Sequence, residues 1–243
     1  MSRAVVHFAW GREHAAELCN NLAVSVQTPE PRVIVADREA AALLGEECFC
    51  KHIIIADLQS AALTNKAQLF NLLPEEYDSF LFLDTDAYLL SDVSFGFDKA
   101  ERYGIAVAMA PHYSLAAFWG FHKVMESVDV IRASQLQYNT GVIFFTRRPD
   151  VEKVFIRWAE LAGSQDGRGH SDQPYFTLAM ELVGFNPYTL SPAYNYRAFG
   201  EYASGMIRVW HSRAPIPADV NVGVHVWPGR RFVGSQRIRT ISC

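Results

Sequence analysis

The sequence predicts an α/β fold, a single domain with a mostly parallel central sheet flanked by helices. Three observations carry that prediction. Phe80-Leu81-Phe82-Leu83 and Val142-Ile143-Phe144-Phe145 are continuous apolar runs, as in strands buried on both faces. Strand-like runs alternate with helical segments through the first half of the chain, which is the mark of βαβ units. The first of the two apolar runs ends in Asp84-Thr85-Asp86, and open α/β sheets bind ligands at the carboxyl ends of their strands.

Each element follows from local pattern. Val5–Ala9 reads as the first strand, with Gly11 for a tight turn after it. Glu13–Val26 reads as a helix with Ala16, Leu18, Cys19, Leu22, Ala23 and Val26 near one face. Thr28-Pro29-Glu30-Pro31 breaks it. Val33–Val35 is the second strand, ending at Ala36-Asp37. A short Ala-rich helix follows, with Gly45 as its stop. Ile53–Ile55 is the third strand, and Asn65–Leu73 a helix ended by Pro74. After Phe80–Leu83, Asp92 is placed to cap a helix. Ile105–Met109 is a strand, and 111–138 is an aromatic-rich stretch of weak periodicity. Val142–Phe145 is a buried strand. Val151–Leu161 is an amphipathic helix with Pro149 near its first turn. Residues 163–169 form a polar loop. Asp172–Val183 is a helix for which Ser171 is a candidate cap. Ile207–Trp210 is a late strand ending at His211.

Size and composition narrow the function. With 243 residues, 50% of them hydrophobic, the chain supports one large core. A net charge of −4 gives no basic field for nucleic acid. The last acidic residue is Asp219, and Arg230, Arg231, Arg237 and Arg239 follow it. This basic tail, about 226–243, is either a solvated face or a contact for a phosphate-rich acceptor, an anionic membrane surface or a partner protein. Cys19, Cys48, Cys50 and Cys243 form no C-x-x-C pair and no zinc spacing. Cys19 reads as core. That usage, with no signal-peptide pattern at the start and no apolar run near the ~20 residues of a membrane span, predicts a cytoplasmic protein, at most peripheral to a membrane.

Several residues have the right type and place for chemistry. Asp84 and Asp86, read as extended, project to one side. Two adjacent carboxylates repel unless a cation lies between them, and a hard divalent ion shared with substrate phosphates answers that need. The bland alternative is a turn or capping cluster. His211 also ends a strand, so all three side chains converge if the strands share one parallel sheet edge. An O,O,N set suits Mn²⁺ and tolerates Mg²⁺. His225, in a similar context, is the rival, and a His packed beside Trp210 is the bland alternative. Asn139-Thr140-Gly141 is either an ordinary turn or a close-approach segment before a buried strand. Asp172-Gln173 is either a helix cap or a polar pair at a pocket rim. Lys66 is a solvated helix residue or a compensating charge for phosphate.

Taken in order, these pieces resemble nucleotide-sugar-dependent glycosyltransferases of the GT-A (Rossmann-like) fold, in particular the glycogenin and lipopolysaccharide galactosyltransferase group. The matching elements are Lys66, F-L-F-L-D-T-D (80–86), Y-N-T-G-V-I-F-F (138–145), S-D-Q (171–173) and V-W-H (209–211). The resemblance implies a metal-dependent hexosyltransferase-type enzyme that moves a sugar from a nucleotide-diphosphate sugar, with UDP as the base, to a glycan or lipid-linked acceptor with retention. It implies Mn²⁺ or Mg²⁺ on Asp84, Asp86 and His211. It places the nucleotide around Ala9, Trp10, Gly11 and Asp37, with Lys66, Asp84 and Thr85 near the phosphates. Asn139, Thr140 and Gly141 line the sugar and acceptor pocket with Asp172 and Gln173, the two residues nearest the catalytic role of a protein nucleophile. It divides the domain (1–243) into a nucleotide half, about 1–100, and a sugar and acceptor half, about 101–215. The chain departs from the pattern after the late His, where H-S-R-A-P-I-P lacks the usual Gly and Lys; Arg213 or a tail arginine stands in. Trp10-Gly11 also replaces residues that are often polar.

An inverting enzyme would need a carboxylate base, for which Asp172 or Glu201 is available. A phosphohydrolase with a nucleophilic first Asp is the main rival, but such enzymes usually carry D-x-D near the N-terminus. A non-catalytic binding domain has no use for a Lewis acid. A nucleotidyltransferase would open with a Gly-rich loop, and only Gly11 is present. Phe118–His122 is either an acceptor platform or core and interface.

Overall fold

The computed structural model describes residues 1–47, 52–56, 63–114, 135–163, 172–198, 203–221 and 232–233. The strands are β1 (Arg3–Ala9), β2 (Arg32–Ala36), β3 (His52–Ile55), β4 (Ser79–Leu83), β5 (Ala87–Leu89), β6 (Ile105–Ser114), β7 (Leu136–Thr146), β8 (Tyr188–Leu190), β9 (Ala203–Ser204), β10 (Val209–His211) and β11 (Phe232–Val233). The helices are α1 (Gly11–Val24), α2 (Arg38–Glu47), α3 (Leu69–Leu72), α4 (Ser94–Tyr103), α5 (Pro149–Gly163) and α6 (Gln173–Val183). A 3-10 turn, Leu63–Gln68, leads into α3, and another spans Pro192–Tyr194.

The main sheet has seven strands in the order β3-β2-β1-β4-β7-β6-β8. Only β7 runs against its neighbours β4 and β6. The mostly parallel α/β sheet is therefore as the apolar runs predict. Alternate residues of each strand face opposite sides of the sheet. Val6, Phe8, Phe80, Phe82, Ile143 and Phe145 meet the aromatic faces of α5 and α6. Phe145 packs 4.8 Å from Phe155, and Trp158 packs 4.7 Å from Phe176, ring centre to ring centre. Val5, Leu81, Leu83, Val142 and Phe144 meet α4 on the other face. There Gly96 is obligatory, because a Cβ would fall inside the Phe144 ring. Ala9, Ile34 and Ala36 meet α1 and α2. Burial on both faces explains why β4 is apolar without alternation.

Several boundaries differ from the sequence reading. The α2 helix runs through Gly45 to Glu47, since a glycine within a helix costs only about 1 kcal/mol against alanine. The segment before Pro74 is a 3-10 turn plus one α-turn. β6 and β7 extend into what reads as irregular sequence. The buried side of α1 is Ala15, Leu18 and Asn21, and Ala16 and Ala23 are exposed. The shift follows from hydrogen bonding. Asn21 Nδ2 donates to the Thr85 and Ala87 carbonyls at 3.0 and 2.8 Å, and Ser25 Oγ accepts the Leu89 N–H at 3.0 Å. Cys19 is half-buried beside that core. Asp92 accepts from the Ser94 N–H at 3.2 Å at the start of α4, in the capping role expected of it. Ser171, His225, Glu201, Phe118–His122, residues 164–169 of the polar loop and the tail arginines lie outside the described residues.

Candidate functional site

The site begins where β4 ends. Asp84, Thr85 and Asp86 are not extended: Ala87 N–H donates to the Asp84 carbonyl at 3.0 Å, closing a tight turn into β5. The turn still aims both carboxylates one way, while Thr85 Oγ donates to Glu17 of α1 at 2.5 Å. β5 pairs antiparallel with β10, which brings His211 opposite Ala87. The convergence of the three residues holds, but its cause is different from a shared parallel edge. His211 belongs to a separate two-stranded ribbon. His211 Nε2 lies 3.3 Å from Asp86 Oδ1 and 3.7 Å from Asp84 Oδ2. Donor atoms of Asp84, Asp86 and His211 all lie within 4.8 Å of one another.

The donor set fits a divalent ion. Two carboxylate oxygens and one imidazole nitrogen face one point at the carboxyl edge of the sheet. Burial alone would raise the Asp86 carboxyl, but its contact with His211 and the nearby Arg213 and Arg197 guanidinium groups outweigh burial and hold it well below the ordinary carboxylate range.

Lys66 reaches the site from the 3-10 turn, with its ammonium 5.4 Å from the centre of the Phe82 ring. It is buried, 2.7 Å from Asp84 Oδ1 and 3.4 Å from Asp172 Oδ2. Burial would lower its pKa, but Asp172 and Asp84 outweigh that and keep it charged. Burial likewise pushes the Asp172 carboxyl up, against the pull of Lys66. Asp172 precedes α6 without capping it by its side chain. Its carbonyl accepts the Trp158 indole N–H at 3.1 Å. Gln173 and Thr140 are buried beside it.

The nucleotide candidates lie at the ends of β1 and β2, whose residues Ala9 and Ala36 are register partners. Ala9 is buried and offers only backbone. Trp10 packs on Phe8 and His14. Gly11 adopts φ +64°, a left-handed conformation that favours glycine, and its N–H donates to Asp37 Oδ2 at 3.0 Å. Asp37 Oδ1 accepts the Ala40 N–H at 2.8 Å, so this carboxylate ties the β1 turn to the start of α2.

Asn139 Oδ1 accepts from the Gly141 N–H and from Asn195 Nδ2, each at 2.9 Å. Asn195 Oδ1 lies 2.7 Å from His211 Nδ1. The Gly141 carbonyl accepts the Asp84 N–H at 2.9 Å. A Cβ at Gly141 would overlap the His211 ring, so Gly141 is the residue that admits the imidazole. Sequence reasoning missed Asn21, Glu17 and Asn195. Only Asn21 left a signal, as a polar residue at helical spacing between Leu18 and Ser25.

No protein-family profile and no curated protein matches the sequence. Solved structures do match. Mouse xyloside xylosyltransferase 1 in its apo form is 16% identical over 89% of this chain and 100% of its own, with a TM-score of 0.58. The galactosyltransferase LgtC, determined with donor and acceptor sugar analogues, is 13% identical over 91% of this chain and 92% of its own, with a TM-score of 0.60. The glycosyltransferase GlyE of Streptococcus pneumoniae is 13% identical over 90% of this chain and 56% of its own, with a TM-score of 0.58. The chain has the GT-A fold. Within the GT-A frame, Asp84, Asp86 and His211 stand at the carboxyl edge of the central strands, with Asp172 linked to them through Lys66. No helix among the described residues is long and apolar enough to cross a membrane.

Proposed function

We propose that the protein is a metal-dependent glycosyltransferase that moves a sugar from a nucleoside-diphosphate sugar, a UDP-sugar, to a hydroxyl of a glycan or lipid-linked acceptor with retention. The observation that carries the reading is the gathering of Asp84, Asp86 and His211 within 4.8 Å at the ligand-binding edge of a GT-A sheet. The first hundred residues would take the nucleotide against Ala9, Trp10, Gly11 and Asp37, and residues 101–215 the sugar and acceptor.

In the reaction, the bond from the anomeric carbon to the phosphate oxygen breaks with its electrons on the diphosphate. The acceptor oxygen bonds to that carbon, and its proton passes to the departing diphosphate on the same face. Mn²⁺ or Mg²⁺ held by Asp84, Asp86 and His211 supplies Lewis-acid stabilisation of the charge developing on the diphosphate. The chain's own residues do the rest. Arg213, largely exposed and held beside the acidic turn by Glu17 at 2.7 Å, would offer its guanidinium to the same diphosphate. Lys66 pairs with Asp84 and Asp172, so it serves the phosphate region by fixing Asp84. Asp172 and Gln173 stand on the sugar side, where polar groups stabilise an oxocarbenium-like transition state. Asn139, Thr140 and Gly141 would line the sugar pocket with them.

Calorimetric titration with UDP, GDP and CMP, first with Mn²⁺ and then with EDTA, tests the reading. One nucleoside diphosphate should bind only when Mn²⁺ is present, and Asp86→Ala should lose that binding with an unchanged far-UV circular dichroism spectrum. Absence of metal-dependent binding to all three overturns it. A sugar-donor hydrolysis screen with the base so named then identifies the sugar.

A further inference from the structure

We propose that Asn139 and Asn195 are positioning residues that fix which ring nitrogen of His211 faces the metal site. The inference rests on the metal-site reading above for its purpose, but its geometry is independent of it. The argument starts from a group whose polarity is not in question. A backbone N–H only donates, and that of Gly141 is 2.9 Å from Asn139 Oδ1. The Asn139 atom pointing there is therefore the carbonyl oxygen. The same oxygen faces the Asn195 side chain at 2.9 Å, so the Asn195 atom turned to it is the amide NH₂. That leaves the Asn195 carbonyl 2.7 Å from His211 Nδ1. A carbonyl only accepts, so Nδ1 carries a proton. Nε2 is then the nitrogen turned to Asp86 and Asp84, at 3.3 and 3.7 Å.

Every link is buried: Asn139 is 5% exposed, Asn195 3% and His211 4%. Water therefore does not compete for these bonds: a reversed Asn139 amide would set its NH₂ against the Gly141 N–H, and a reversed Asn195 amide would set two carbonyl oxygens against each other. Metal-ligating histidines in general depend on such a partner on the far nitrogen, which fixes tautomer and ring orientation. Gly141 completes the device. Its N–H sets the polarity, its missing side chain makes room for the ring, and its carbonyl holds the Asp84 N–H. Asn139, which the family resemblance places against the sugar, has its carbonyl committed to this relay.

The test has two readouts. The first is a long-range ¹H–¹⁵N spectrum of the histidine rings in the whole protein at about pH 8.5, well above ordinary imidazole titration. His211→Gln assigns the signals. A protonated Nδ1 on His211, with or without Mg²⁺, is expected; an unprotonated Nδ1 overturns the relay without any variant having to fold. The second is Mn²⁺ titration followed by the electron paramagnetic resonance signal of the free ion. Asn195→Leu should weaken Mn²⁺ binding by about tenfold or more, the usual cost of losing such a partner. Asn139→Asp keeps both acceptor positions and should hold the protonated Nδ1 and the Mn²⁺ affinity. Asn139→Leu should lose both. If wild-type protein binds Mn²⁺ and Asn195→Leu matches it, the relay falls and the metal reading stands. If wild-type protein shows a protonated Nδ1 and binds no Mn²⁺, the relay stands and the metal reading falls.

Discussion

The two aspartates follow β4, whose residues Ser79–Leu83 are buried between two apolar layers. His211 ends β10, a strand in a two-stranded ribbon outside the main sheet. One half of the candidate metal site is thus delivered by hydrophobic burial and sheet register. The other half is brought in by the short β5–β10 pairing and then aimed by single polar contacts: Asn195 on Nδ1, the Tyr196 carbonyl on the His211 N–H at 2.8 Å, and the space left by Gly141. The difference teaches where the site is robust. A strand buried on both faces tolerates apolar substitutions of similar volume. A side chain aimed by one hydrogen bond and one missing methyl group has no such reserve.

The sharpest way to break the comparison is Gly141→Ala. The added methyl group meets the His211 ring, which is buried and held by Asn195 and so has nowhere to go. Metal-dependent nucleotide binding should fall by at least about tenfold, because the ligand ring is displaced. Overpacking should cost about 1–3 kcal/mol of stability. Calorimetry and thermal melting read the two effects separately. Unchanged nucleotide affinity would mean that His211 is not held where these contacts place it.

This contrast also explains what the sequence discloses. The apolar runs 80–83 and 142–145 announce their strands because burial on both faces leaves a continuous signature. Asp84 and Asp86 are legible because they interrupt such a run at its end. Asn195 is not legible, since its role depends on Asn139, 56 positions earlier. His211 stands out beside Trp210, but the reason it meets Asp86 is the pairing of two short strands, β5 and β10, that carry little pattern of their own. Helix stops are equally weak in sequence, as Gly45 inside α2 shows.

Asn21 lies between the two modes. It sits on the buried side of α1, yet it acts by hydrogen bonding, holding the Thr85 and Ala87 carbonyls on either side of Asp86. Asn21→Leu keeps the apolar contact and strands both carbonyls. Each buried unsatisfied group costs about 1–3 kcal/mol, so for the two carbonyls a loss of roughly 2–6 kcal/mol is expected in urea unfolding. Metal-dependent nucleotide binding should weaken with it, since the turn loses its brace. A loss of stability with full nucleotide affinity would show that β4 alone suffices to aim the aspartates.

The apolar half has a polar weak point of its own in His7, fully buried on β1 between β2 and β4. Burial and the Arg32 guanidinium, 3.1 Å from Nε2, lower its pKa to about 3. The unfolded chain titrates near the ordinary value of about 6.5, so between these values the unfolded state binds the extra proton. The contribution of His7 to stability is therefore full above pH 6.5 and is lost as the pH falls towards 3. From pH 7.5 to 5.5 this one group should remove about 1.4 kcal/mol, one pKa unit's worth, because only the second of those two units lies inside the window. His7→Leu should lose that much less over the same interval in paired urea titrations. Equal losses in both proteins would mean that His7 is already protonated, or already hydrated, in the folded state, and that this half of the sheet is less sealed than its apolar strands imply.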